Sequence, residues 1–509
     1  MSERQPVEVV IVGGGTAGWM AAAGLAGILK PEICRVRLIE SDEIGIVGVG
    51  EATLPQMRDF NSAIGVVESE MMRRTNATFK LGIEFVDWGW QGSRYIHPFG
   101  VHGETIGGVG FQHRWLRAAQ HGREWDVGEF SYAIAAARAN AFDFPSSDPG
   151  AIDSTYNYAY HLDASLYARF LRDFAETRGV VRTEGKIVSV QRDGERGGIA
   201  SVTMESGKVI TGDLFLDCSG FRGLLINQLD APFEDWTKWL PCDRAFAVPC
   251  ELGGDFTPYT RSTAREAGWQ WRIPLQHRIG NGYVFASAFI DPDRAAETLL
   301  ANLDGAAQTE PRMLRFAAGR RMNSWSHNCI AVGLASGFLE PLESTSIYLI
   351  QIAIQNLIKL FPQAEIDPAL PAEYNRLMDL EYSVIRDFLI LHYRANTRDD
   401  GELWRHCRDM EVPDSLTEKI ALFRHSGHIE QTKIGLFSPP SWLSVLLGQG
   451  VRPERYHPMA DAMPLDVQLA GMEKLHTRIA ARVAKMPSHA EAVADFCPSE
   501  AGRALRGAA

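Results

Sequence analysis

No pair of cysteines is spaced for a redox or zinc motif. The seven cysteines stand apart at 34, 218, 242, 250, 329, 407 and 497. That spacing excludes a disulfide scaffold and a thiolate metal site, and predicts buried, reduced thiols in a cytoplasmic protein. Basic charge is not in excess either. Lys plus Arg is 51 against 63 for Asp plus Glu, a formal net charge of −12 without long single-sign blocks, which argues against nucleic acid or an anionic membrane as partner. Repeats of solenoid period and low-complexity tracts are also missing. With 45% hydrophobic and 22% charged residues, the 509-residue chain reads as globular, with room for roughly two or three domains. One uncharged run, residues 9–29, has the length of a membrane span, but its clustered glycines point elsewhere.

What is there begins with "VEVVIVGGGTAGWMAAAGLAGILK". A β-branched strand leads through Gly13-x-Gly15-x-x-Gly18 into an Ala-rich helix, the order that a dinucleotide-binding βαβ unit requires. Gly13 permits the tight turn, Gly15 lets backbone approach a pyrophosphate, and Gly18 lets helix and strand pack closely, while the helix N-terminus offers free N–H groups. A second strand, "CRVRLIES", ends near Glu40, placed to take ribose hydroxyls. Two distant segments, "GKVITGDLFLDCSGFRGLLI" (207–226) and "NCIAVGLASGFLEPLESTSIYLIQ" (328–351), add further strand and Gly-rich turn units. Three such islands are the pattern of hydroxylase-type flavoproteins, with FAD lying across them. A second Gly-x-Gly-x-x-Gly unit for a tightly held nicotinamide is missing, so reducing equivalents are expected from outside.

The chain resembles the flavin-dependent halogenases, the tryptophan and indole halogenase type. The resemblance rests on "GGGTAGWMAA" (13–22), "GVGEATLP" (48–55), "FKLGIEFVDW" (79–88), "YIHPFG" (95–100), "DCSGFRGLLI" (217–226), "GWQWRIPL" (268–275) and "GLASGFLEPLESTSI" (333–347). The Trp-x-Trp-x-Ile-Pro element is the most specific, because hydroxylases of the same flavin fold differ there. The resemblance implies electrophilic halogenation of an indole-type or other electron-rich ring, using FADH2 supplied by a separate NAD(P)H flavin reductase, O2, and chloride or bromide. It also implies a possible homodimer. The organic chemistry belongs to the cofactor, and the protein binds halide, guides hypohalous acid and orients the ring.

Residue by residue, the resemblance assigns Lys80 to hold hypohalous acid by hydrogen bond or to form a haloamine. Read alone, "TFKLGIEF" alternates like a half-buried strand with Lys80 on its solvated face. Glu343 matches the family's catalytic carboxylate, although a first-turn acid complementing a helix dipole would look the same. The Ser344-Thr345-Ser346 cluster opens a helix-period run. By resemblance the backbone of Thr345 and Ser346 binds halide; N-capping accounts for the same residues. Ser346 stands where several relatives carry Gly. His97 and Phe99 match an aromatic clamp on the substrate, with Trp442 as a further stacking candidate. Gly14, Thr16, Ala17, Ala52, Val188, Leu334 and Ile347 complete the implied flavin contacts. Trp269 and Trp271, alternating on one strand, are expected to wall the flavin from the substrate and let the small halide collect the oxidising equivalent.

The expected architecture is α/β: a Rossmann-like FAD module over 1–350, with a β-rich insert at about 227–320 carrying Trp269 and Trp271, and a mostly helical substrate-side module over 351–509. The stretch "SWLSVLLGQGVRPERYHP" (441–458) lacks the paired tyrosines and acid that grip the amino-acid backbone in relatives taking free tryptophan. Indole, a substituted indole or another electron-rich arene is therefore as plausible a substrate. The alternative activities are a flavin monooxygenase acting on an aromatic ring and a non-catalytic flavin-binding redox protein.

Overall fold

A computed structural model describes residues 5–43, 50–254, 256–363, 365–430 and 435–501. Residues Gly48 and Val49 of the "GVGEATLP" island lie outside them. The β-branched run Val7–Val12 forms the middle strand of a six-stranded sheet. It pairs in parallel with Cys34–Glu40 on one side and Leu214–Asp217 on the other. Val181–Glu184 extends the first side and Cys329–Ala331 the second, again in parallel. The helix Thr16–Ile28 makes the crossover between the first two strands, as parallel pairing demands. Val12, Asp217 and Ala331 stand in register across three strands. The three glycine islands thus meet at the carboxyl edge of one sheet, where open α/β sheets bind ligands.

A second, seven-stranded sheet carries the tryptophan strand. Its order is Arg312–Arg315, Arg244–Cys250, Ile279–Phe285, Gly268–Pro274, Thr260–Arg265, Gly82–Val86, Arg94–Pro98. Thr260–Arg265 pairs in parallel with Gly82–Val86, so two strands from early in the chain complete this sheet. This pairing brings the strand of His97 into the sheet of Trp271, with Thr260–Arg265 and Gly82–Val86 between them. All seven residues of Gly268–Pro274 are buried. The Trp271 indole covers Gly282 on the neighbouring strand, where a Cβ would stand 2.1 Å from ring atoms.

Lys80 departs from its expected surroundings. The stretch splits into two strands, Thr78–Lys80 and Gly82–Val86, that join different sheets, and both faces are covered. Alternation of apolar and polar residues here marks two buried faces of different chemistry, and Lys80 is 0% exposed. The C-terminal part is helical as expected, but it does not begin at 351. The helix Thr345–Lys359 spans that boundary and packs on Thr16–Ile28. Further on, Leu465–Val483 packs on the early helices Phe111–Gln120 and Tyr132–Arg138. All seven cysteines are buried. Among the described residues no helix is long and apolar enough to cross a membrane.

Candidate active site

A cavity of about 1400 Å³ opens at the carboxyl edge of the parallel sheet, larger than the roughly 300–1,000 Å³ typical of a small-ligand pocket. Gly13 to Ala17 form its floor, and Glu40, Ala52, Leu334 and Ile347 line it. Gly13 has φ +113°, and a Cβ there would stand 2.3 Å from the Cys218 carbonyl oxygen, so the turn requires glycine. At Gly15 a Cβ would meet nothing within 4 Å, and no side chain caps the helix that follows. Open space in front of uncapped N–H groups suits a pyrophosphate, so these residues fit a dinucleotide such as FAD. Gly18 is buried in the helix behind them.

Glu40 is already engaged. Its carboxylate takes Arg182 Nε at 2.5 Å, the Trp19 indole N–H at 3.3 Å, and lies 3.6 Å from Arg172. Val188 is 61% exposed, and the strand's alternation turns its neighbour Ile187 into the cavity instead.

At its inner end the cavity reaches Trp269, Trp271 and the segment Glu343–Ser346. The two indoles lie 6.1 Å apart at 56°. Glu343 and Ser344 have φ of 65° and 59°, two consecutive non-glycine residues in the left-handed region, which costs each about 1–2 kcal/mol. Ser344 precedes the helix Thr345–Lys359 without capping it. Its Oγ instead accepts a hydrogen bond from Lys80 Nζ at 2.9 Å. N-capping is thus not what the serine does, and the start of the helix, with Thr345 and Ser346, lines the cavity.

Lys80 donates its other hydrogen bond to the Thr53 carbonyl at 2.9 Å, and its Nζ stands 5.1 Å from the centre of the Phe99 ring. Burial pulls the ammonium down to about 7, against the upward pull of the Glu343 and Glu51 carboxylates. The two hydrogen bonds use the two N–H groups of a neutral amine and leave its lone pair free.

Glu343 is 1% exposed, yet it stays ionised. Its Oε2 lies 2.7 Å from His97 Nδ1 and its Oε1 3.0 Å from His392 Nε2. Burial raises its affinity for a proton, but the two histidines outweigh burial and hold it down to about 2. Three residues earlier, Glu340 has the opposite character. Burial pushes it up to about 8, although the Tyr393 hydroxyl bonds both its oxygens at 3.1 and 3.0 Å.

The structure therefore gathers Lys80, Glu343, His97, Phe99, Thr345 and Ser346 around one turn. His97 is anchored by its nitrogen as well as by ring contacts with Phe99, Phe388 and Phe437 at 6.4, 5.6 and 6.1 Å. Trp442 sits farther out, buried, edge-on to Phe388 at 5.0 Å. Sequence reasoning missed His392, Tyr393 and the role of Ser344. The signal for His392 is a polar residue ending the apolar run "FLIL" on a helix face that is otherwise core.

The protein comparisons agree with this geometry. The tryptophan halogenase family model matches residues 8–465. The chain is similar to Xcc4156, a flavin-dependent halogenase from Xanthomonas campestris, at 48% identity and a TM-score of 0.94, covering 97% of this chain and 99% of that one. It is similar also to BrvH, a flavin-dependent halogenase from Brevundimonas sp. BAL3, at 44% identity and 0.93, covering 97% and 100%. Tryptophan 6-halogenase SttH of Streptomyces toxytricini is 38% identical over 491 residues, 91% of this chain and 93% of that protein. A buried lysine and an ionised carboxylate at the inner end of a dinucleotide cavity are thus set in a chain that belongs, over nearly its whole length, to the tryptophan halogenase family of flavin-dependent oxidoreductases.

Proposed function

We propose that Lys80, in its neutral form, receives the halogen and passes it to an electron-rich aromatic ring, while Glu343 takes the ring proton. The observation that carries this reading is the Glu343–Ser346 turn, which lines the cofactor cavity and also holds Lys80 Nζ through Ser344 Oγ. Reduced FAD with O2 supplies the oxidising equivalent that turns chloride or bromide into hypohalous acid. Backbone N–H groups of Thr345 and Ser346, at an uncapped helix start, hold the halide beside the cavity. Trp269 and Trp271 fill the inner wall with apolar surface, so the halide rather than the ring meets the oxidant. The amine lone pair of Lys80 then attacks hypohalous acid, giving the haloamine and water. Attack by the ring breaks the nitrogen–halogen bond and leaves a carbon-bound halogen, and the nitrogen takes up one proton to return to the amine, balanced by the proton that the ring loses to Glu343.

Glu343, held ionised between two histidines, stabilises the cationic ring and accepts its proton. His97 and Phe99 bound the ring on the Lys80 side. Names of the relatives include tryptophan halogenases, and the missing amino-acid grip in 441–458 extends the expected substrates to indoles without a free amino-acid backbone. A separate NAD(P)H flavin reductase supplies FADH2, in keeping with one Gly-x-Gly-x-x-Gly unit in the chain.

The test is a panel of indoles and phenols with chloride or bromide, FAD, a reductase and NADH, run with wild type and Lys80→Met. Wild type should give products with the halogen isotope pattern. The variant should oxidise FADH2 and give none. Oxygenated products independent of halide would instead establish a monooxygenase.

A further inference from the structure

The Glu343–Ser344 turn is strained, so something must hold it. Two consecutive left-handed residues persist only where the surroundings over-determine them. Lys80 ties Ser344 and His97 ties one oxygen of Glu343. Further ties come from the last turn of the helix Ala369–Arg394. His392 reaches Glu343 and Tyr393 reaches Glu340. Consecutive helix residues point about 100° apart, and the two glutamates are separated by Pro341 and Leu342, so a single helix end spans the segment from both sides.

His392 is itself fixed. It is 0% exposed, packed between Phe85 at 4.8 Å, Trp88 at 5.9 Å and Phe388 at 5.1 Å. Its Nδ1 lies 2.8 Å from the Phe388 carbonyl oxygen, which can only accept, so Nδ1 carries a hydrogen. Its Nε2 faces the Glu343 carboxylate at 3.0 Å. Tyr393 is buried too, with Cys242 Sγ 3.5 Å from its hydroxyl.

We infer that His392 and Tyr393 are the positioning pair that holds the Glu340–Ser344 segment in its working shape, His392 by orienting Glu343 as an ionised acceptor and Tyr393 by fixing Glu340 beneath the tryptophan wall. The inference rests on the catalytic reading of Glu343 given above. Neither residue touches the reacting atoms. Around Glu343 the titratable neighbours are Lys80, Tyr95, His97 and His392. Replacing His392 by glutamine keeps one donor and removes the electrostatic pull of the ring, so burial of Glu343 is opposed more weakly. Glu343 should then take up a proton at higher pH, and the acid limb of kcat, set near pH 7 by Lys80 in the wild type, should move above that value.

The experiment measures pH profiles of kcat and KM for halogenation by wild type, His392→Gln, Tyr393→Phe and Glu343→Gln, each confirmed to bind FAD. The expected result for His392→Gln is a kcat lowered about tenfold at pH 7, recovering with rising pH, with KM little changed. An acid limb unmoved from wild type would overturn the inference. If His392→Gln does not fold, Tyr393→Phe decides: a lowered kcat at unchanged KM supports the pair, and an unchanged kcat overturns it. Glu343→Gln separates the two layers. Should it retain full kcat, the catalytic reading of Glu343 fails; should it collapse while the other two match wild type, only the positioning pair fails.

Discussion

The floor of the cofactor cavity and the turn at its inner end are built in opposite ways. The floor comes from one continuous stretch, Val7 to Glu40, in which strand, turn, helix and strand follow in order. The turn depends on groups far apart in the chain: His97 and Glu343 are 246 residues apart, Lys80 and Ser344 264. A local motif can be specified by glycines at fixed spacing. A site made of long-range hydrogen bonds can be specified only by the fold that brings its parts together, and it stores strain where they meet.

That contrast can be broken from either side. Gly13→Ala attacks the floor. With φ +113° and a carbonyl 2.3 Å from the new Cβ, the backbone must move, and FAD binding should weaken on the order of 100-fold, about 3 kcal/mol. Excess FAD should restore halogenation, because the inner turn is untouched; fluorescence titration with FAD alongside product yield checks both halves. Trp271→Ala attacks the inner wall and should show a smaller functional effect. Removing a buried indole costs about 3–5 kcal/mol of stability, read as a lower Tm. Product formed per FADH2 oxidised should fall roughly threefold as water enters the site. Excess FAD should not restore it. Unchanged coupling would reduce the wall to ordinary core packing.

The same contrast explains what the sequence could convey. The glycine turn, its flanking strands and the acid at Glu40 are legible because each requirement acts over a few residues. Lys80 is not legible on its own terms: alternation predicts a solvated face, whereas the short strand Thr78–Lys80 joins a different sheet from Gly82–Val86 and is covered on both sides. Only the resemblance to a family picked it out. The edge of the β-rich segment is completed by residues 82–98, a pairing with no local signature. Val188 is exposed and its neighbour Ile187 lines the cavity, since one step along a strand exchanges the faces. His392 escaped notice because a histidine among Leu389, Ile390, Leu391 and Tyr393 reads as core until Glu343, 49 residues earlier, is seen beside it.

The proposed chemistry requires a buried, neutral Lys80 to carry the halogen at a turn whose carboxylate stays ionised. Burial lowers the folded-state value of Lys80 to about 7, so the neutral amine is lost as pH falls through that value, while Glu343 at about 2 remains charged throughout. The most direct measurement is product formed per FADH2 oxidised in single turnovers between pH 5.5 and 9, a ratio that cancels changes in flavin oxidation. The account predicts a ratio that rises through about pH 7 to a plateau. A ratio that is flat across the range, or that rises as pH falls, would contradict it.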